Sequence, residues 1–542
     1  MQDAYPRYEA IPPEWLVDAD QQPDYRGSDP RAARSVAAAI LGAGSDATAV
    51  IHHESGAHLT YTELDRQSAR LARALLGLGA RPGDRVAVRC ANRPEWIVAA
   101  LAVWRSGAVV VPIPMQARAE ELNHLLRDTA ARFLLTQDDP DGRSEVAGGV
   151  VDTDVAHVIS GGWDQVPAAD DLDLPDVDPD SVAIVWHTGG TTGRPKGCYH
   201  THRRFLLAGY SIGAATGIGP GERWAASAQI GHALGFIYHT SYTLLHGATV
   251  VLVEAFQQAD VVLRAIADHG VTTFTAITAT WAQLQKALVA DPELPMPPAT
   301  LRGYAMWQSA SASEVYEWWL ARGIALRNNF GSTSFATWVL VPRGEHTRAS
   351  LGSAAPGYEV IAIEPDATDI LPVPVNTPGR MAVRGPSGLT YWRRPDLQRR
   401  DVREGWTLVD DMIQIGADGN TTYLGRTDYL ISTAGYKVAP VEVETVLATH
   451  PAVREVAVLG KPDAVRQEVV CAFVAVADGV PADDKLRREL QEYVKSRMAP
   501  YKYPRVVEFV DRLPRDPIGK VIQRVLRDTM STMDSATPAG QS

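Results

Sequence analysis

The segment HTGGTTGRPKGCYHTH, His187 to His202, gathers the residue types that hold an anion. It follows SVAIVWH (181–187), an apolar and β-branched run that reads as a buried strand. Gly189, Gly190 and Gly193 let backbone N–H groups converge, Thr188, Thr191 and Thr192 add hydroxyl donors, and Lys196 brings a point charge. Strand, nest and cation together make a grip for a polyphosphate. It is not the common P-loop, because GxxxxGK[ST] does not occur and Gly519-Lys520 is followed by Val521. A dinucleotide site is equally poor: GAGSDA (42–47) fits G-x-G-x-x-A but follows an Ala-rich helical stretch, not a strand. Cys198, His200 and His202 alternate along one short segment with no fourth ligand nearby, so no metal is expected there.

The elements around this loop alternate. LTYTELDRQSARLARALLGLGARPGDRVAVRC (59–90) reads as a helix capped by Thr62, a loop at Pro82-Gly83, then a strand. Helix EWIVAALAVWRSG and strand AVVVPI follow, and the alternation continues to about residue 340. That order implies βαβ units and a largely parallel, helix-covered sheet. From about 350 to 425 the texture turns to short strands with Gly, Asn, Asp and Pro turns (GYEVIAIEP, GRMAVRGP, WTLVDDMIQIGADGNTTYLGR). Beyond Asp428 a compact α+β pattern begins. The expected organisation is a large N-terminal domain (1–427), a small C-terminal domain (428–530) and a frayed tail (531–542).

At 542 residues the chain exceeds one core. Lys+Arg of 52 against Asp+Glu of 64 leaves a net charge of −12, which argues against a nucleic-acid partner. Three scattered cysteines form no disulfide framework, no apolar run spans a bilayer, and the first residues lack a signal peptide; a cytoplasmic, membrane-free protein is expected.

TTGRPKG resembles the phosphate-binding signature of the adenylate-forming enzymes: acyl- and aryl-CoA synthetases, luciferases and peptide-synthetase adenylation domains. Four further motifs occur in family order: NNFGSTS (328–334), GWTLVDD (405–411), GRTDYLISTAGYKVAPVEVE (425–444) and APYKYPRVVEFVDRLPRDPIGKVIQR (499–524). The wording of the last is similar to benzoate and aminobenzoate CoA ligases. The likeness covers about residues 50–530. It implies an α/β fold with a multi-subdomain N-terminal domain (two parallel-type helix-covered sheets and a β-rich subdomain) and a small mobile α+β C-terminal domain. It also implies a reaction: a carboxylic acid, here an aromatic one, attacks Mg-ATP to give an acyl-adenylate, and a thiol such as CoA then displaces AMP.

Roles follow from the resemblance, residue by residue. Phe330 stacks on adenine with Asn329 at its edge and Gly331 beside it, Thr333 meets the α-phosphate, and Thr188 to Gly193 with Lys196 grip the β- and γ-phosphates. Asp411 takes the ribose hydroxyls beside Arg426. Lys520 stabilises the adenylation transition state. Asp428 is the hinge; after rotation Gly435 lines the thiol tunnel and Lys437 faces the nucleotide. The acid pocket comprises His232, Ala233, Trp307, Ser309, Ser311 and Phe335.

Three positions depart from the pattern. Ser334 replaces the usual Mg²⁺-holding glutamate, and a neutral hydroxyl is a poorer ligand for a hard cation, leaving Mg²⁺ held chiefly through phosphates. Ser311 replaces a glycine, and Val409-Asp410 replaces Thr-Gly before Asp411. These leave two alternatives beside CoA ligation: loading of a carrier-protein thiol, and a diazotase that adenylates nitrite for an aminoaryl acid.

Overall fold

Nine consecutive residues, Trp96 to Trp104, are buried in the helix Pro94–Arg105, so this helix is apolar on every side. A helix of that kind belongs between two layers, not on a surface. It packs against strands of both parallel sheets, which flank it. The structure, a computed structural model, describes residues 29–44, 46–137, 155–169, 171–188, 195–306, 313–342, 350–365, 369–433, 436–463, 465–515 and 521–535.

One sheet runs Leu326–Asn328, Arg302–Met306, Thr273–Ile277, Arg223–Ala226, Thr249–Leu252, Thr48–His52, His58–Thr60, parallel but for its last pair. The other runs His157–Ser160, Phe133–Thr136, Arg85–Arg89, Val109–Pro112, Val182–Thr188, Lys196–Thr201, again antiparallel only at the last pair. Their strands carry unbroken Val, Ile and Ala runs because helices cover both faces. A continuous apolar cluster joins the two, from Val50 and Val88 to Phe205, Phe236 and Met381.

The β-rich part is an antiparallel sheet of Glu359–Ile363, Pro378–Arg384, Trp406–Ile415, Val402–Arg403 and Thr421–Arg426. A separate sheet then begins at Ile431–Thr433, built on the long hairpin Val453–Asp463/Gln467–Val476, with its own core of Val443, Leu447, Val458, Leu490 and Val494. The fold is therefore α/β with a large multi-subdomain N-terminal part and a small α+β C-terminal part, as expected. Among the described residues no helix is long and apolar enough to cross a membrane.

Two local expectations change. The helix Tyr61–Gly77 is capped by Thr60, not Thr62: Thr60 Oγ1 accepts from Glu63 N at 3.1 Å and Glu63 Oε2 accepts from Thr60 N at 2.8 Å. Threonine followed three residues later by glutamate closes a reciprocal box that Thr62 cannot form, and Thr62 instead bonds Asp46. The helix Gln523–Ser535 also runs into the stretch expected to be frayed.

Candidate active site

The strand Val182–Thr188 carries the chain to the phosphate loop and Lys196–Thr201 carries it back, Thr188 pairing with Lys196 across the ladder. The loop therefore sits on a β-hairpin, and the helix that follows, His202–Thr216, starts a full strand later with Thr201 as its cap. The glycine loop is thus followed by a strand and not directly by a helix N-terminus. Gly189, Gly190, Thr191, Thr192 and Gly193 lie outside the described residues, as do Trp307, Ser309, Ser311, Gly435 and Lys520.

The stem of the hairpin is locked. His187 Nε2 lies 2.8 Å from Asp128 Oδ2, and Asp128 O accepts from Trp392 Nε1 at 3.1 Å. Gly197, opposite His187, has no room for a side chain: a Cβ would lie 2.9 Å from Trp392 Cβ and 3.2 Å from Asp128 Oδ2. On the returning strand Cys198 and His200 share a face, and both reach the Thr333 carbonyl, Cys198 Sγ at 3.8 Å and His200 Nε2 at 2.9 Å. His200 is fully buried, and burial holds its imidazole down to about 4, so it is a neutral donor to that carbonyl. These residues serve as anchors rather than metal ligands, and no cluster of three His, Cys, Asp or Glu side chains fit for a metal occurs among the described residues.

Thr333 and Ser334 lie in a turn between Phe330–Ser332 and Thr337–Val341. The turn closes through Ala336 at φ 49°, a left-handed backbone costly for alanine, held by Tyr242 Oη donating to Ala336 O at 2.6 Å. Phe330 tilts 32° against Tyr423, ring centroids 6.2 Å apart, leaving its other side partly open. Asn329 is 3% exposed, and neither of its amide atoms finds a hydrogen-bond partner among the described residues. A buried amide left with both atoms unmatched is costly unless something else binds it.

Asp411 and Arg426 face each other across the hairpin Trp406–Ile415/Thr421–Arg426. Counting back from the turn would set Asp410 opposite Arg426. A register shift between Met412 and Ile413, with Gly425 at φ 106°, moves Asp411 there instead. Asp411 is 7% exposed and accepts from Tyr423 Oη at 2.9 Å. Asp410 is no idle neighbour: Arg380 Nη2 donates to it at 2.8 Å and Arg426 Nη2 stands 3.6 Å away. Tyr423, His187 and Asp128 were not foreseen. Tyr423 was findable only by counting the hairpin register, and His187 only as the residue preceding the loop.

His232 opens a helical stretch, Leu234–Ser241, wound as a π-helix. His232 is exposed to solvent, and desolvation by its surroundings holds its pKa below the ordinary imidazole value. Ala233, Leu234, Met306 and Phe335 belong to one apolar cluster. Asp428 lies in the short turn of helix Thr427–Tyr429, and Lys437 in the strand Tyr436–Val438, paired with Ser432.

Comparison with known proteins agrees with this geometry. The model of the AMP-binding enzyme family matches residues 38–392, and that of the AMP-binding enzyme C-terminal domain matches 442–520. A feruloyl-CoA synthase of Amycolatopsis sp. is 33% identical over 485 residues, covering 89% of this chain and 95% of its own. A benzoate–CoA ligase of Thauera aromatica is 29% identical over 504 residues, covering 90% and 93%. A solved benzoate CoA ligase of Burkholderia xenovorans superposes with a TM-score of 0.78 at 25% identity, covering 91% of this chain and 99% of that one. The chain belongs to the AMP-binding enzyme family and is an AMP-forming acid–thiol ligase, activating a carboxylic acid with ATP as an adenylate and passing the acyl group to CoA.

Proposed function

We propose that the acid is a monocarboxylic aryl acid and that the residues named above divide the two half-reactions. The observation that carries this reading is the apolar run that follows His232: Ala233, Leu234 and Phe236 share one buried cluster with Met306 and Phe335, and desolvation makes His232 itself a weak cation. Such a wall favours a flat apolar ring over a second carboxylate. The feruloyl- and benzoate-activating relatives support the same class.

In the first step a carboxylate oxygen attacks the α-phosphorus, and the bond to the pyrophosphate oxygen breaks. Phe330 stacks on adenine, the unmatched Asn329 amide meets a polar edge of the ligand, Asp411 accepts from ribose hydroxyls, and Thr333 donates to the α-phosphate from a turn anchored by His200. Lys196 with the loop holds the departing phosphates, and Lys520 neutralises charge as it develops, the usual source of rate in phosphoryl transfer. In the second step the CoA thiolate attacks the acyl carbon and AMP leaves with its oxygen. The C-terminal domain, 428–530, turns at Asp428 between the steps, bringing Gly435 to the thiol path and Lys437 to the nucleotide.

At the metal position that the resemblance implies, Thr333 and Ser334 offer hydroxyl oxygens. A hard cation is poorly held by such groups, so Mg²⁺ is a companion of ATP, bound by phosphate oxygens.

Pyrophosphate release measured with benzoates, aminobenzoates, cinnamates and fatty acids, each with and without CoA, tests the reading. Turnover that requires an aryl acid, with CoA needed for AMP release, is expected. Preference for fatty acids would overturn the aryl pocket, and a carrier-protein thiol replacing CoA would reassign the acceptor. Turnover with nitrite and an aminoaryl acid but no CoA would make the enzyme a diazotase.

A further inference from the structure

A second cavity, of about 160 Å³, lies behind the same sheet, toward the starts of the strands Arg302–Met306 and Leu326–Asn328. The nucleotide motifs leave these strands at their other ends, at Met306 and Phe330. At ~30 Å³ per water this volume equals about five waters, the size of a single ring with a small substituent. Arg302, Tyr304, Arg327 and Trp338 line it.

The two guanidinium groups are unlike. Arg302 is fully engaged: it pairs with Glu222, donates through Nη1 to Thr216 O at 2.9 Å and through Nε to Thr273 Oγ1 at 3.1 Å. Arg327 is partly buried and has neither an ion pair nor a hydrogen bond among the described residues. Glu222 offsets Arg302, so among the described residues the cavity carries one positive charge without a counter-charge, in a chain whose net charge is −12. Tyr304 is 5% exposed, and its hydroxyl has no partner among the described residues. Burial raises the pKa of that hydroxyl, so it remains an O–H donor. The wall is rigid: the Tyr304 ring lies 4.8 Å from Trp338 and stacks at 6.0 Å on Trp224.

A partly buried cation beside a hydroxyl donor is offset by an anion that both can reach. We propose that this cavity is a second ligand site, distinct from the acid pocket, which takes a small carboxylate with its anionic end on Arg327 and the Tyr304 hydroxyl. Occupancy bears on the nucleotide site through the backbone. Arg327 lies two residues before Asn329 on the strand that leads to Phe330, and Trp338 pairs in register with Gly331. A bound acid pins both strands behind the adenine-side residues and lowers the KM for ATP.

Equilibrium dialysis of the whole chain against benzoate, comparing wild type with Arg327→Met, reads the site directly. The variant is expected to bind one equivalent fewer, with kcat for pyrophosphate release at saturating ATP within about twofold. The difference of one equivalent is the readout, whether or not benzoate also enters the acid pocket, so failure of the aryl-acid reading leaves it intact. Met keeps the length and removes an unmatched charge, and unchanged circular dichroism certifies the fold. Tyr304→Phe is a second, milder probe; it should weaken the same equivalent by about tenfold, the loss of one hydrogen bond to a charged group. Equal stoichiometry in wild type and Arg327→Met would overturn the proposal. So would displacement of that equivalent by inorganic phosphate at the same concentration, because the site would then read charge alone.

Discussion

Replacing His200 by glutamine separates the anchoring of Thr333 from simple core filling. His200 is fully buried, lies 6.3 Å from Trp186 by ring centroids, and places Nε2 2.9 Å from Thr333 O. Burial lowers its pKa from 6.5 to about 4, so the folded chain keeps it neutral where the unfolded chain protonates it. Its contribution is therefore fully present above pH 6.5 and is lost as pH falls toward 4, at about 1.4 kcal/mol per pH unit in that window. His202 and His239, lowered to about 3 and about 4, add the same slope, so the wild type should lose about 4 kcal/mol per unit from these three. Glutamine carries an N–H but never titrates. At pH 7.5 the variant should be less stable by about 1–3 kcal/mol, through an imperfect bond to the carbonyl. Below pH 6.5 that deficit should shrink by about 1.4 kcal/mol per unit. Urea midpoints followed by tryptophan fluorescence at pH 7.5, 6.5 and 5.5 read the difference. A deficit that stays constant over this interval would refute the reasoning, since His200 would then titrate normally in the fold.

Asp411→Asn should raise the KM for ATP about tenfold and leave that for the acid unchanged, since one charge-assisted hydrogen bond to ribose is weakened; equal KM values for ATP would remove Asp411 from the ribose site. Lys520→Ala should lower adenylate formation by about 10²–10³ while ATP binding by calorimetry stays near wild type. Glu444 accepts from Val458 N at 2.8 Å, and burial raises its pKa from 4.5 to about 7, so its contribution is complete below pH 4.5 and lost as pH rises through 7. Glu444→Gln should therefore stabilise the C-terminal part at pH 8, by at most ~3 kcal/mol because the residue keeps some solvent contact, and confer no gain near pH 4.5; thermal melts at the two pH values decide it.

The alternation of helix and strand was legible because burial imposes its period on the sequence: SVAIVWH and AVVVPI are uniform runs since both faces of their sheets are covered. The returning strand Lys196–Thr201 was harder to see. Its alternation of Gly197, Tyr199 and Thr201 with Cys198 and His200 is a two-residue period, but thiol and imidazole at that spacing draw attention to metals before strands. The capping box at Thr60 was visible in the spacing to Glu63. The pairing of Asp411 with Arg426 was not, because a single bulge at Leu424–Gly425 shifts the register by one and no side-chain pattern announces it. That Ala233 and Leu234 share a buried cluster with Met306 and Phe335 is a property of packing and not of local order.

The hairpin after the phosphate loop explains why a hydroxyl can stand at residue 334. The returning strand starts at Lys196 and five positions later ends at Thr201, the cap of the next helix. Between them Cys198 and His200 both face the carbonyl of Thr333, so the strand that returns from the glycine loop and the turn that carries Thr333 are tied together. His187 and Asp128 fix the outgoing strand in the same way, and Gly197 lets Trp392 press against the stem. On the proposed roles, donors held this closely would orient the phosphates without a protein carboxylate on the cation. A Ser334 hydroxyl is then compatible with adenylation, provided that Thr333 stays anchored. The prediction for His200 bears on this directly: loosening that carbonyl should impair the adenylation half-reaction before it impairs binding of the acid.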